Sequence, residues 1–141
     1  MQANDPFKIR LGQLADLPSL TDLDEFGGSR QGEIAAQCLY VATRGLAVLG
    51  YVSYEPRGLL GQPFLTYLCV AAPQRRQGIA TSLVQHVQRV AKGRKLISST
   101  EDWCVGTQRL FDRLGWTRVG EIGQVNKDGS TEIFYAVAID A

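Results

Sequence analysis

A strand-like apolar run that feeds a proline turn, a pair of arginines, a glycine and then a long amphipathic segment leaves this chain few ways to fold. The run is Phe64 to Val70, and the turn holds Pro73. The polar stretch is Gln74-Arg75-Arg76-Gln77-Gly78, and the amphipathic segment is Ile79 to Ala91. At about 100° per residue, Ile79, Ala80, Leu83, Val84, Val87, Val90 and Ala91 fall within one arc of about 140°. Thr81, Ser82, Gln85, His86, Gln88, Arg89 and Lys92 fill the other side. The pattern predicts a strand buried on both faces, a polar loop, and a helix that stops at Gly93. A helix start carries N–H groups without an internal partner, and the helix dipole adds positive potential there. With Gly78 open to close approach and arginines beside it, the stretch reads as an anion site, for phosphate above all.

The flanking sequence supplies the remaining elements. Phe7 to Leu11 alternates apolar and charged residues, as a half-buried first strand does. Asp16-Leu17-Pro18 signals a helix start with Asp16 as N-cap, and Leu20, Leu23 and Phe26 share a helical face. Gly27-Gly28-Ser29 breaks that helix, and Gly32 to Gln37 reads as a short second one. Cys38–Ala42 and Leu46–Tyr54 form a hairpin turning at Arg44-Gly45. Pro56 to Pro63, with Gly58 and Gly61, reads as a loop. Lys95–Ser99 is a strand parallel to Phe64–Val70 through a right-handed crossover. Val105–Leu114 is a helix closed by Gly115. Trp116–Ile122 and Glu132–Ile139 are strands around a turn at Lys127-Asp128-Gly129. The order β–α–(α)–β–β–β–α–β–α–β–β gives an α/β or α+β domain with helices on both faces of a mixed sheet.

Bulk properties narrow the function. At 141 residues, 45% apolar and 21% charged, the chain reads as one globular domain, residues 1–141. A net charge of +1 provides no global field toward nucleic acid or an anionic membrane. The three cysteines, Cys38, Cys69 and Cys104, are odd in number and lack a CxxC pair, against a disulfide framework or zinc site and for a reducing compartment. A single histidine, His86, excludes any two-histidine metal centre. Met1 to Phe7 lacks the charged and apolar regions of a signal peptide, and no apolar run approaches a membrane span. A soluble, cytoplasmic protein without a metal is the expectation.

At two places the sequence resembles the GNAT superfamily of acetyl-CoA-dependent N-acetyltransferases. The family's Gln/Arg-x-x-Gly-x-Gly/Ala fingerprint after a buried strand is matched by Arg75-Arg76-Gln77-Gly78-Ile79-Ala80. An aromatic residue a few positions before Gly-Phe is matched by Phe111-Asp112-Arg113-Leu114-Gly115-Trp116. The resemblance runs from about Phe7 to Ile139. It implies a GNAT-like fold, with a central, mostly antiparallel mixed sheet of six to seven strands. It implies that main-chain N–H groups of Arg75, Arg76, Gln77, Gly78, Ile79 and Ala80 hold the pyrophosphate of acetyl-CoA, with the Thr81 hydroxyl a further candidate contact. It also implies that backbone groups of Leu68, Cys69 and Val70 pair with the pantetheine. Dimers are common in this family, so a homodimer is compatible.

The departures matter as much. Many members carry tyrosine where Phe111 stands, proposed to protonate the departing thiolate. Phenylalanine donates no proton and would only pack against the coenzyme, while a thiol of pKa about 8.5 leaves without prior protonation. A lysine-like amine is neutral in roughly one molecule in a thousand near pH 7.4, so a base or water relay is required. Glu101, just beyond the Lys95–Ser99 strand, lies near where relatives place a polar residue facing the cleft. It is the candidate base or substrate contact, against an exposed loop residue; Asp102, Tyr67 and Tyr135 are the alternatives. Cys69 reads as a buried packing residue and His86 as a surface one. Thr81 and Ser82 offer hydroxyls to phosphate or to solvent. Trp103 either lines the acceptor pocket or covers core. The segments 24–33, 56–63 and 123–130 are the loops placed to shape that pocket.

The expected function is N-acetylation of an amine by direct attack on bound acetyl-CoA. A non-catalytic acyl-CoA-binding or regulatory module, consistent with Phe111, is the second reading. A nucleotide-binding domain is disfavoured because neither a Walker-type sequence nor Gly-x-Gly-x-x-Gly occurs. The basic residues are scattered except at Arg75-Arg76, which disfavours nucleic acid.

Overall fold

The computed structural model describes residues 6–75 and 77–139. β1 (Lys8–Leu11) leads through a 3-10 turn (Leu14–Asp16) into α1 (Leu17–Leu23) and α2 (Gln31–Ala35). β2 (Leu39–Arg44), β3 (Ala47–Leu59) and β4 (Gln62–Val70) follow, then a second 3-10 turn (Ala72–Gln74) and α3 (Ile79–Val90). The chain closes with β5 (Lys95–Glu101), α4 (Val105–Arg113), β6 (Thr117–Ile122) and β7 (Glu132–Ala138). The hydrogen-bonded strand order is β1-β2-β3-β4-β5-β7-β6. β4 and β5 are parallel, with Phe64 opposite Ile97, while β1–β2, β2–β3, β5–β7 and β6–β7 are antiparallel. The sheet is therefore mixed and mostly antiparallel, as expected.

The chain forms two compact units. The first comprises the chain up to Glu55 together with Thr66–Val90. Its core gathers Leu20 of α1, Ile34 of α2, Leu39 and Val41 of β2, Tyr51 of β3 and Cys69 of β4. The apolar stripe of α3 is buried as its spacing predicts, with Ile79, Leu83, Val84 and Val87 at 1% exposure or less. A buried Leu83 contributes about 1.5–3 kcal/mol relative to an exposed one. Gly50 permits a close passage of β3 against β4, since a Cβ there would lie 2.7 Å from the Cys69 carbonyl oxygen.

The second unit comprises Pro56–Leu65 and the chain from Ala91 onward. β5 buries Leu96, Ser98 and Thr100 on one face, and the Ser98 hydroxyl donates to the Leu65 carbonyl at 2.9 Å. The Phe111 ring of α4 lies 4.6 Å from Trp116 and 5.1 Å from Tyr135. β6, at the end of the strand order, is exposed along its whole length, including Val119 and Ile122.

Four expectations need correction. Pro56 to Pro63 is not a loop: β3 continues to Leu59, and only Leu60 (φ 53°) and Gly61 (φ 76°) turn the chain into β4. Two successive left-handed residues suit a tight hairpin. β3 pairs with β2 only as far as Ser53, opposite Leu39, so Pro56 lies outside that ladder, where a missing N–H is tolerated. α1 ends at Leu23, so Phe26 lies outside the helix and is exposed. The Asp16 carboxylate makes no cap bond to α1; it turns back to accept from the Gln13 N–H at 2.8 Å and from Arg10. β4 is not buried on both faces throughout, since Thr66, Tyr67 and Leu68 remain partly open.

Candidate functional site

The loop between β4 and α3 is built by short-range bonds. After buried Cys69 and Val70, the Ala71 N–H donates to Leu49 O at 2.8 Å, and Gln74 N–H closes the 3-10 turn on Ala71 O at 2.8 Å. Pro73, with its fixed φ and missing N–H, suits the start of that turn. Gly78 adopts φ 79°, a region costly to any residue with a Cβ. The α3 ladder begins with Ser82 N–H to Gly78 O at 3.0 Å, so the N–H groups of the preceding turn have no acceptor within the helix. Ile79 is buried and pins the helix start, while Gly78 is exposed and a Cβ added there would meet nothing within 4 Å. The result is an open helix N-terminus with accessible main chain, and Thr81 and Ser82 sit half-buried in its first turn.

Side chains brace this loop from within the same unit. Arg44, the last residue of β2 and only 5% exposed, donates from Nη1 to Gln74 Oε1 at 3.0 Å and from Nη2 to Gln77 Oε1 at 2.9 Å. Gln77 Nε2 in turn donates to Gln74 Oε1 at 3.3 Å. Arg75 Nε donates to Val70 O at 3.2 Å, and its Nη2 pairs with Glu25. Arg76, the second fingerprint arginine, lies outside the described residues. Beside the loop opens a concavity of about 590 Å³ whose lining includes Leu23, Glu25, Val48, Val70, Pro73 and Arg75.

The segment between α1 and α2 is held by a buried arginine. Arg30 forms ion pairs with Asp24 at 3.2 Å and Glu33 at 2.8 Å, bonds the Gly27 carbonyl, and lays its guanidinium 3.9 Å over the Tyr67 ring. Tyr51 donates to Asp24 at 2.8 Å, and burial pushes its hydroxyl pKa far up. Cys69 is buried, as expected of a packing residue; its thiol donates to Leu23 O at 3.0 Å and burial raises its pKa. His86 is not a plain surface residue. Its ring packs edge-on against Tyr40 at 4.3 Å, and burial lowers its pKa.

In the second unit, Glu101 is the last residue of β5 rather than a residue beyond the strand. Its Oε2 accepts from Trp103 Nε1 at 2.8 Å and from Ser130 Oγ at 3.3 Å. Trp103 is 61% exposed, so it does not cover core; its Nε1 also reaches Asp128 at 3.2 Å. Hydrogen bonds from Ser130 and then Trp103 hold the Asp128 carboxyl below its ordinary range. Asp102 is exposed, and Tyr135 is buried with a raised pKa, a poor setting for a base. Phe111, expected to pack against the coenzyme, is 1% exposed and enclosed by Trp116 and Tyr135. It has almost no surface to offer a ligand. Among the described residues, no group of three or more His, Cys, Asp or Glu side chains is gathered to hold a metal.

Leu68 to Val70 end β4, Ala71 to Arg75 with Gln77 and Gly78 lie in the loop, and Ile79 to Thr81 open α3. The reading of the sequence missed Arg44, which looked like a turn residue before Gly45, and Arg30, which sat in an unpatterned polar stretch. No local signal distinguishes either from a solvated arginine. The Ser130 and Trp103 donors to Glu101 come from positions separated by a strand and a helix, which spacing does not reveal.

The chain matches the model of the acetyltransferase (GNAT) family over residues 12–116. It belongs to that family. A GNAT-family acetyltransferase from Bacillus cereus superposes with a TM-score of 0.87 at 21% identity, over 97% of this chain and 100% of that one. The ribosomal-protein-alanine N-acetyltransferase of Brucella melitensis gives a TM-score of 0.79 at 24% identity, over 94% and 99%. The yncA protein of Salmonella typhimurium, solved with its cofactor acetyl-CoA, gives 0.77 at 16% identity, over 97% and 96%. No curated protein sequence matches the chain.

Proposed function

We propose that this member of the acetyltransferase (GNAT) family transfers the acetyl group of acetyl-CoA to a primary amine by direct attack, working as one domain over residues 1–141. The observation that carries the reading is the open helix start at Gly78: a left-handed glycine with nothing over its Cα, N–H groups without helical acceptors, and Arg75 beside them. Such a site suits the two phosphates of the coenzyme. Main chain from Gln77 to Thr81, with Arg75 and Arg76, would hold the pyrophosphate, and backbone of Leu68, Cys69 and Val70 the pantetheine. Phe111 supports the fold from the core instead of touching the coenzyme.

In the step itself, the neutral amine nitrogen forms a bond to the thioester carbon, the C–S bond breaks, and the coenzyme leaves as thiolate. The neutral nitrogen arises when the acceptor's ammonium gives a proton to Glu101, directly or through water; the second proton, released as the amide forms, passes to the thiolate or to solvent. Glu101 is suited to the first transfer because Trp103 and Ser130 fix its carboxylate at the end of β5 while leaving it partly exposed. No acid is needed for a leaving group of this pKa, so the phenylalanine at 111 is compatible with turnover. The three free cysteines agree with a reducing, cytoplasmic setting. Incubation with acetyl-CoA and a panel of small amines, peptide N-termini and lysine peptides, followed by thiol release and product mass, tests the reading. Acetylated amine is the expected product. Tight coenzyme binding without turnover on any amine would favour the non-catalytic module.

A further inference from the structure

We propose that Arg44 is a positioning residue for the coenzyme loop, setting the geometry of the pyrophosphate site from beneath; this rests on the reading of the Gly78 loop given above. Arg44 closes β2 where that strand pairs with β3, opposite Ala47, so its backbone is fixed by the sheet. Its side chain is nearly buried, and the two ends of its guanidinium fork reach the two glutamines that bracket Arg75. Gln74 is the last residue of the 3-10 turn, and Gln77 immediately precedes Gly78. With Gln77 also bonded to Gln74, the three side chains close a ring of hydrogen bonds.

The residue types fit the task. A guanidinium has only donors, in a rigid planar fork, so it fixes both the spacing and the orientation of two carbonyl acceptors. A lysine could satisfy the acceptors only as a mobile point charge. Holding Gln77 fixes the peptide that leads into Gly78, and hence where the N–H groups at the start of α3 point. Preorganising those donors lowers the ordering cost of binding the diphosphate. Arg44 itself touches no ligand in this scheme; it acts through Gln74 and Gln77.

The test compares coenzyme A with S-acetylpantetheine, which lacks the pyrophosphate, by titration calorimetry on the full chain. The variants are Arg44→Met, Arg44→Lys and Gln77→Leu. The Met variant is expected to weaken coenzyme A about tenfold while leaving S-acetylpantetheine unchanged, with Lys restoring part of the loss. Gln77→Leu, which leaves Arg44 in place, is expected to show the same ligand-selective loss, and covers the case in which Arg44→Met does not fold. Equal losses for both ligands would show a general structural role and overturn the inference, as would unchanged coenzyme A affinity. Wild-type protein that binds both ligands alike would instead overturn the assignment of the loop itself.

Discussion

Arg75, the first arginine of the loop before α3, is ion-paired with Glu25 of the segment that follows α1, and both side chains stay more than half exposed, at 53% and 61%. An exposed pair of this kind contributes only about 0–1 kcal/mol, whereas a phosphate can engage a guanidinium through two parallel bonds. With the coenzyme bound as proposed, Glu25 would compete with the pyrophosphate for Arg75. Glu25→Gln is expected to tighten coenzyme A binding about two- to fivefold at low salt. The gain should fade at high ionic strength as the exposed charges are screened. Calorimetry at the two salt concentrations measures this; an unchanged low-salt affinity would mean that Arg75 does not meet the phosphates.

The Arg10–Asp16 pair gives a prediction about pH. The hydrogen bond from Arg10, at 2.8 Å and 3.0 Å to the two carboxylate oxygens, holds the Asp16 carboxyl below its ordinary value, against the opposing effect of burial. A carboxyl whose folded pKa is depressed stabilises the fold above its unfolded value, about 3.9, and loses that contribution as pH falls through the folded pKa. Asp16→Asn should thus cost about 1 kcal/mol at pH 7, discounted because Arg10 is 40% exposed. It should also flatten the loss of stability below about pH 4. Urea melts from pH 2 to 7 read both effects.

Glu101 can be tested as the proposed base through the shape of the pH–rate profile. Glu101→Gln keeps the size of the side chain and can still accept from Trp103 and Ser130, but it cannot take a proton. Rate should fall by about a hundredfold, mainly at pH values below the pKa of the acceptor amine, and recover partly above it. A profile of unchanged shape and height would remove Glu101 from the mechanism.

The parts of this protein legible in its sequence are those governed by periodicity and by backbone chemistry. The α3 stripe from Ile79 to Val87 follows from spacing, and the helix stop at Gly115 from the need for glycine. Pro56 misled because proline usually excludes a strand interior. The exception arises because the β2–β3 ladder ends at Ser53, which local sequence does not reveal. At Phe111 the motif suggested a ligand contact, and it carried no sign of the Trp116 and Tyr135 rings that pack beside it. Arg44 and Arg30 were illegible because a buried arginine is defined by partners far away in sequence. Gln74 and Gln77 lie about thirty positions from Arg44, and Tyr67 lies well beyond Arg30.

Acetyl-CoA, as proposed, binds across the open backbone at Gly78. Titration calorimetry of acetyl-CoA into wild-type protein, Gly78→Ala and Gly78→Trp tests it most directly, with thermal melts and circular dichroism confirming that each variant is folded. At φ 79° either substitution strains the turn by about 1–2 kcal/mol, but an alanine Cβ meets no neighbour while an indole would fill the space above the helix start. Wild type is expected to bind measurably, Gly78→Ala more weakly, and a folded Gly78→Trp not at all. Acetyl-CoA binding by folded Gly78→Trp with wild-type affinity would contradict the proposed site.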